Sequence, residues 1–513
     1  LKERTAYVDA TEAPRIPIIF AMVLGAFVAI LNQTLLNVAL PVMMVDMDMS
    51  ANAAQSLTTI FMLVNGILIP ITAFLMEKFT TRQLFLTAMS LFALGTLICG
   101  LAFSFPTLLA GRVVQAAGAG IMMPLLMNVI LSLFPVEKRG SAMGMIGLAM
   151  MFAPAIGPTL SGIVVQNFSW RVLFFIVLPI AIIDIILAYF LLRNVTRLTY
   201  PKVDVKSIIL STFAFGGLLY GFSSAGQAGW TDPMVLGPLA IGGVVMFFFV
   251  TRQLRMKKPM LEFRVFRYNM FTLTTIISVI ITMSMFAAMI LIPIYLQNIR
   301  GFSPLESGLL LLPGALISAF MSPVTGWLFD RIGARPLAIT GLAITAATTF
   351  MFAHLSDETG YYFMMFAYSA RMVGISMIMM PIMTAGLNQL PKRLYSHGTA
   401  MSNTLRQMSG SIGTAFLVTV MSAQAARHLA DFMPASGSPG QEQLAVLNNL
   451  ATIEGINDSF MVATAFAVLG FILSFFVKRV RPADEDEEYS PPKPAKQKSE
   501  KLPVGKRVQY EHR

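Results

Sequence analysis

The chain alternates long apolar runs with short polar connections, and the runs are too long and too evenly apolar for strands. A window of about 19 residues, the length of helix that crosses a hydrocarbon layer, marks fourteen helical spans. They lie near 17–42, 54–76, 84–104, 107–133, 141–166, 172–192, 207–226, 234–252, 270–297, 305–328, 336–354, 361–389, 398–423 and 458–478. The connections alternate in charge. Those after spans 1, 7 and 11 carry Asp46 and Asp48, Asp232, and Asp357 with Glu358, and Arg171, Arg300 and Arg427 are the exceptions on that side. The intervening loops collect Lys78 and Arg82, Lys138 and Arg139, the 193–206 and 255–267 segments, Arg331 and Arg335, and Lys392 and Arg393. A miscounted span would invert this bias partway along the chain, and it never inverts, so the positive-inside rule predicts fourteen spans with both termini in the cytoplasm.

Composition agrees. Apolar residues make up 56% and charged residues only 12% of the 513 positions, too little polarity to clothe a soluble enzyme of several domains. The net charge of +11 would suggest nucleic acid in a soluble protein, but the basic loops account for it and no nucleic-acid partner is expected. Cys99 is the only cysteine, so neither an internal disulfide nor a cysteine metal cluster can form, and no metal site is expected. Residues 1–16 read as a cytoplasmic segment without a signal peptide. Residues 424–457, with Pro434, Gly437, Pro439 and Gly440 ahead of a helical pattern over 441–453, read as an extracellular loop with a short interfacial helix. The Lys-, Glu- and Pro-rich 479–513 reads as a disordered cytoplasmic tail.

The chain repeats itself. Arg112, Gly120, Pro124, Pro135 and Gly140-Ser141-Ala142-Met143 recur as Arg371, Gly374, Pro381, Pro391 and Gly398-Thr399-Ala400-Met401, and Glu77, Lys78 and Arg82 recur as Asp330, Arg331 and Arg335. Parallel repeats of this kind imply two six-helix bundles, 17–192 and 270–478, around one central site. The 193–269 stretch then holds two inserted spans without repeat partners.

Gly326, Leu328, Asp330, Arg331, Gly333 and Arg335, in a loop between closely linked spans, resemble the loop signature of the major facilitator superfamily. With fourteen spans the resemblance narrows to drug:proton antiporters of the EmrB/QacA type. Leu31 to Pro41 in span 1, Arg112 with Gln115 in span 4, Gly147 with Gly157-Pro158 and Gly162 in span 5, Trp170-Arg171, Pro259 to Arg267, and Tyr295-Leu296-Gln297 with Ser303-Pro304 agree in order over spans 1 to 13. The resemblance implies an all-α membrane protein that catalyses no reaction. It implies proton-driven efflux by alternating access in the bacterial inner or plasma membrane, with amphipathic or lipophilic drugs, protons and membrane lipids as partners. A periplasmic adaptor joins them if the cell has two membranes. No cofactor is expected beyond the proton gradient, and no phosphate-binding loop for ATP is present. A lipid or glycolipid translocator of the same fold is the alternative, and a non-transporting receptor or scaffold a more distant one.

The residues themselves carry several expectations. A carboxylate such as Asp330 at a helix end can hold the N-terminus of a helix in the other bundle, and Glu77 with Lys78 and Arg82 is its degraded first-half counterpart; alternatively these charges only enforce topology. Gly147, Gly157, Pro158 and Gly162 leave a groove that a second helix can seal as a gate, or form a kink with close packing alone. Arg112, Arg371 and Arg406 need partners inside the membrane and are proton-path or substrate contacts, or hold helices together. Asn32, Gln33, Asn37, Asn65 and Gln115 can line a wet cavity, with Met122 and Met123 among the thioethers suited to substrates of many shapes, lipophilic cations included. The family usually places an acid where this chain has Asn32, so proton coupling falls to other carboxylates. Asp184 lies about 12 residues, or about 18 Å, into span 6. Glu306 is the second candidate, although Ser303 to Glu306 also reads as a capping box. His354 and His397 stand at span ends as interface residues.

Overall fold

The structure is a computed structural model that describes residues 14–196, 198–199, 201–433 and 440–479. Fourteen long helices account for it: α1 (Arg15–Asp46), α2 (Ala51–Lys78), α3 (Thr81–Gly100), α4 (Phe105–Leu133), α5 (Arg139–Asn167), α6 (Arg171–Leu191), α7 (Val205–Ala228), α8 (Pro233–Arg255), α9 (Asn269–Ile294), α10 (Pro304–Ile332), α11 (Ala334–Phe352), α12 (Tyr361–Asn388), α13 (Tyr395–Phe432) and α14 (Gln441–Ser474). Hydrocarbon-length apolar sequence drives them, and local chemistry sets their ends. Ser50 accepts from the Ala53 amide, Thr80 with Gln83 and Ser303 with Glu306 form capping boxes, and Asp204 caps Ser207. Gly333, at φ +84°, parts α10 from α11.

Thirteen of the helices are long and apolar enough to cross a membrane. The exception is α13, whose length of 38 residues suffices but whose polar content does not. It is nonetheless packed among α2, α7, α9 and α14, and its buried residues include Thr399, Asn403, Thr404 and Ser409. A helix polar toward protein rather than lipid has a low mean hydropathy over its length.

The packing repeats. In the first bundle α1 packs on α4, α5 and α6, and α4 on α2 and α3; in the second α9 packs on α12, α13 and α14, and α12 on α10 and α11. The bundles meet through α5 against α10 and, symmetrically, α2 against α13. α7 seats against α2 and α13 at the junction, with α8 packed on α7.

The structure differs from expectation at 424–457. Residues up to Phe432 continue α13, and α14 runs unbroken from Gln441, so the helical stretch at 441–453 is continuous with the last helix rather than a separate one. The part of 424–457 outside these two helices is 433–440, of which 434–439 lie outside the described residues. Nearly all of the expected cytoplasmic segment 1–16 and tail 479–513 also lie outside them.

Candidate functional site

The ends of the helices bearing Lys78, Arg139, Arg331 and Lys392 form a basic end, where hydrogen bonds between the bundles cluster. Asp330 of α10 accepts from the Gly140 amide at 2.7 Å, from the Ser141 amide at 2.8 Å and from the Ser141 hydroxyl at 2.5 Å. These amides are unpaired donors of the first turn of α5, so the carboxylate completes the hydrogen bonding of a helix N-terminus in the opposite bundle. Backbone contact makes this reach achievable. A Cβ at Gly140 or Gly326 would collide with the carbonyl of the other, one at Gly144 would lie 2.7 Å from the Ser322 carbonyl, and one at Gly147 would overlap the Ser322 hydroxyl. Beside them Arg139, 3% exposed, crosses the junction to Asn388 Oδ1 at 2.8 Å and the Tyr395 hydroxyl at 2.9 Å.

The counterpart contact joins α2 to α13. Glu77 pairs with His397 Nε2 at 3.0 Å and also accepts from the Thr199 hydroxyl. The flanking cations stay within their own half. Lys78 lies over Phe74 and Phe79, Arg82 donates to the Tyr189 carbonyl at 2.7 Å and stacks on its ring, and Arg331 covers Trp327, with Arg335 exposed. The expected glycine groove divides. Gly147 meets α10, Gly157 packs on Thr34 of α1 within its own bundle beside half-buried Pro158, and Gly162 faces open space.

Deeper in each bundle lies a buried arginine. Arg112 donates to Asn32 Oδ1 at 3.0 Å, to Gln115 and to the Leu57 carbonyl, with Phe61 beneath it; Gln115 passes the chain on to Thr96 at 2.7 Å. Its repeat partner Arg371 donates to Thr349 at 3.1 Å and to the Ser284 carbonyl at 2.7 Å. Arg112 thus ties the first, second and fourth helices of its bundle directly and the third through Gln115, and Arg371 the first, third and fourth of its own. Asp184, 0% exposed, is not among the partners of Arg112; both its oxygens are unpartnered among the described residues, near Gly25 of α1 and facing Phe85 and Met89 of α3. Glu306 is exposed, and its carboxylate accepts from the Ser303 amide and hydroxyl, each at 2.8 Å.

Gln33, Asn65 and Met123 are half-buried, Met122 is enclosed in the core, and the side chain of Asn37 lies outside the described residues. A small cavity lies elsewhere, within the second bundle. Of about 30 Å³, room for a water or two, it is bounded by Thr275, Ser278 and Thr282 of α9, Met379 and Met383 of α12, and Ser402 with Arg406 of α13. Of these, Arg406 is a residue expected from the sequence to need a partner, and Met379 and Met383 belong to the methionine-rich 377–383 run suited to a cavity. The hydroxyl-bearing face of α9 follows a three-to-four-residue spacing and could have been read from it. The roles of Arg139 and His397 were missed too, although the repeat sets both directly before the Gly140 and Gly398 motifs.

The family model of the Major Facilitator Superfamily matches residues 22–414. The chain is 52% identical to the MFS-type transporter YcnB of Bacillus subtilis (strain 168), covering 91% of this chain and 96% of the relative. It is 44% identical to the lincomycin resistance protein LmrB of the same organism, covering 91% and 96%. Among solved structures it resembles the proton:xylose symporter XylE, with a TM-score of 0.61, 12% identity, and 91% and 96% of the two chains covered, which speaks for the fold alone.

Proposed function

Because the chain belongs to the major facilitator superfamily, and so is a multi-pass membrane transporter rather than an enzyme, we propose that it exports amphipathic or lipophilic drugs in exchange for protons. The cycle is alternating access of the two bundles across a bacterial cell membrane. The observation that carries this reading is the contact of Asp330 with the Gly140 and Ser141 amides. It joins the bundles at one end only, and a rocking motion that opened that end would break it. A contact present in one state and absent from the other biases the equilibrium between them. The positive-inside rule supports assigning that end, with both termini, to the cytoplasm. The likeness to LmrB supports drugs as the cargo.

Asp184 is the proton carrier in this reading. A buried carboxylate without partners is costly to leave charged inside a bilayer, and a proton removes that cost. A proton taken from the acidic exterior and released toward the cytoplasm, once water or a cation reaches the carboxylate, would return the transporter for another drug molecule. Glu306, occupied with its helix cap, has no part in this path. Arg112 and Arg371 serve as positioning residues that hold the helices of their bundles in register, Arg112 the first, second and fourth and Arg371 the first, third and fourth. No cofactor enters; the proton gradient supplies the energy.

Liposomes containing the purified chain, with an acidic interior, should accumulate lincomycin, and collapsing the pH gradient should abolish the uptake. Asp184→Asn should bind drug with wild-type affinity and accumulate none. A stable Asp184→Asn protein that still concentrates drug would remove Asp184 from the proton path. Competition by lipids but not by drugs would turn the reading to a lipid translocator.

A further inference from the structure

The two helices without a counterpart in the repeat, α7 and α8, end in a cluster of unengaged cations. Lys202 and Lys206 flank the start of α7, and Arg255, Lys257 and Lys258 close α8. All five are exposed, and none has a hydrogen bond, ion pair or ring contact among the described residues. The acids nearby are occupied. Asp204 receives Arg252 at 2.9 Å on one oxygen and 3.1 Å on the other, together with the Ser207 hydroxyl, and Glu262 pairs with Arg264 at 3.3 Å. Lys202 and Lys258 line one crevice with Asp204, Pro201 and Pro259, so the two helix ends present their charges side by side. The cations near the seams differ. Lys78, Arg82 and Arg331 lie over aromatic rings, and Arg139 crosses the junction.

The same two helices present an open apolar face. α8 is the least enclosed of the thirteen apolar helices, and Ile209 and Phe213 of α7 are exposed, as are Phe247, Phe248 and Leu254 of α8. A soluble anion would use only the cations, whereas a lipid sets a phosphate at the helix ends and lays its acyl chains along the helices. We infer that the basic ends of α7 and α8 hold an anionic phospholipid, its phosphodiester against Lys202 and Lys258 and its acyl chains along the exposed face of α8. The crevice between the lysines has room for about one water, about 10 Å³, so the phosphate rests on its rim rather than inside it. Ammonium groups on flexible stems can follow a headgroup there. The inserted pair is thereby anchored in the bilayer beside the junction, where α7 seats on α2 and α13. The inference is independent of the exported solute and of the proton path.

The test uses the full-length chain purified in a neutral detergent, with native mass spectrometry following bound lipid as phosphatidylglycerol and phosphatidylcholine of the same acyl chains are titrated. A lysine beside an anionic headgroup adds about fivefold in affinity, so the tightest site of the wild type should prefer phosphatidylglycerol by about tenfold. Raising the ionic strength should shrink that margin. Lys202→Gln with Lys258→Gln should reduce it to about twofold or less, and Lys202→Arg with Lys258→Arg should keep it. Lys138→Gln with Arg393→Gln, which removes the same charge from exposed positions in other loops of the basic end, should leave it within about twofold of wild type. No preference in the wild type, a full margin in a folded Lys202→Gln, Lys258→Gln protein, or an equal loss in the Lys138→Gln, Arg393→Gln protein would each overturn the site. Glycerophosphoglycerol, the headgroup without acyl chains, should not displace the lipid at equal concentration; displacement would overturn the lipid in favour of a soluble phosphate. If the Lys202→Gln, Lys258→Gln protein fails to fold, the wild-type margin and the Lys138→Gln, Arg393→Gln comparison still decide. Lincomycin uptake enters none of these measurements, so the export reading stands or falls apart from them.

Discussion

The two contacts that close the basic end occupy equivalent places in the repeat and use different chemistry. Between α10 and α5, Asp330 receives two main-chain amides and a hydroxyl from a helix N-terminus. Between α2 and α13, Glu77 receives the imidazole of His397, which precedes Gly398 as Arg139 precedes Gly140. Amides at a helix start present a fixed partial charge held by the backbone, whereas the second contact joins the tips of two side chains. The surroundings differ in the same sense. Gly140, Gly144 and Gly326 bring the α5 and α10 backbones into contact, while Gly398 faces Leu387, Leu390 and Phe271 of its own bundle. One seam is thus close-packed, backbone against backbone, and the other is held by a single side-chain pair.

The heaviest blow to this asymmetry is Gly144→Leu. A side chain there has no room against the Ser322 carbonyl and Pro323, and overpacking of this kind costs about 1–3 kcal/mol. Efflux should fall at least about tenfold with a lowered melting temperature, and a wild-type rate would show that the seam never closes in the cycle. Asp330→Asn comes next. It leaves the packing intact and removes charge-assisted bonds worth about 1–3 kcal/mol, so expression should hold while export drops several-fold. Unchanged transport at normal expression would reduce Asp330 to a topology signal.

His397→Gln should have a smaller effect, because it removes one side-chain pair and leaves the backbone seam of α5 and α10 intact. Efflux should fall by less than in Asp330→Asn, and Glu77→Gln should lower it alike. A loss in either that exceeds the Asp330→Asn loss would make the second seam the stronger of the two. Asp46→Asn, at the opposite end of α1, serves as the control. The hydrogen bond from Trp170, followed by that from Arg171, holds the Asp46 carboxyl below the usual carboxylate range. A lowered folded-state pKa contributes stability above the unfolded-state pKa of about 4, lost as pH falls through the folded value. The pair is solvent-exposed, so the loss should be under about 1 kcal/mol at pH 7 and vanish in acid. A melting-temperature difference that grows rather than shrinks as the pH falls below about 4 would contradict this sign.

The fourteen helices were legible because hydropathy and loop charge are local properties of the chain. Even α13, too polar for a membrane span by composition, falls within the window's 398–423 span, and the register of Gly398 to Met401 with Gly140 to Met143 agrees with it. What depends on the other bundle was not legible. Arg139 reads as one more loop cation until α12 and α13 cover it, and His397 as an ordinary interface residue until Glu77 is opposite. The sequence directs attention to Gly157-Pro158 as a gate, yet the seam with α10 is built by the glycines nearer the start of α5, because that is where the two axes meet. Glu306 shows the converse, since the spacing of a capping box is short enough to read directly. That Arg112 and Asp184 do not pair could not be inferred from either residue alone.

The central claim is that the basic end opens and closes and that Asp330 favours closure. It is tested most directly by pulsed electron-spin distances between labels at Glu137→Cys and Pro336→Cys, two exposed positions flanking the α5 and α10 seam, in a Cys99→Ser background. The account predicts two distances in the wild type, the shorter dominant, and a shift of population to the longer in Asp330→Asn. A single distance, the same in both proteins and at pH 6 and 8, would contradict it.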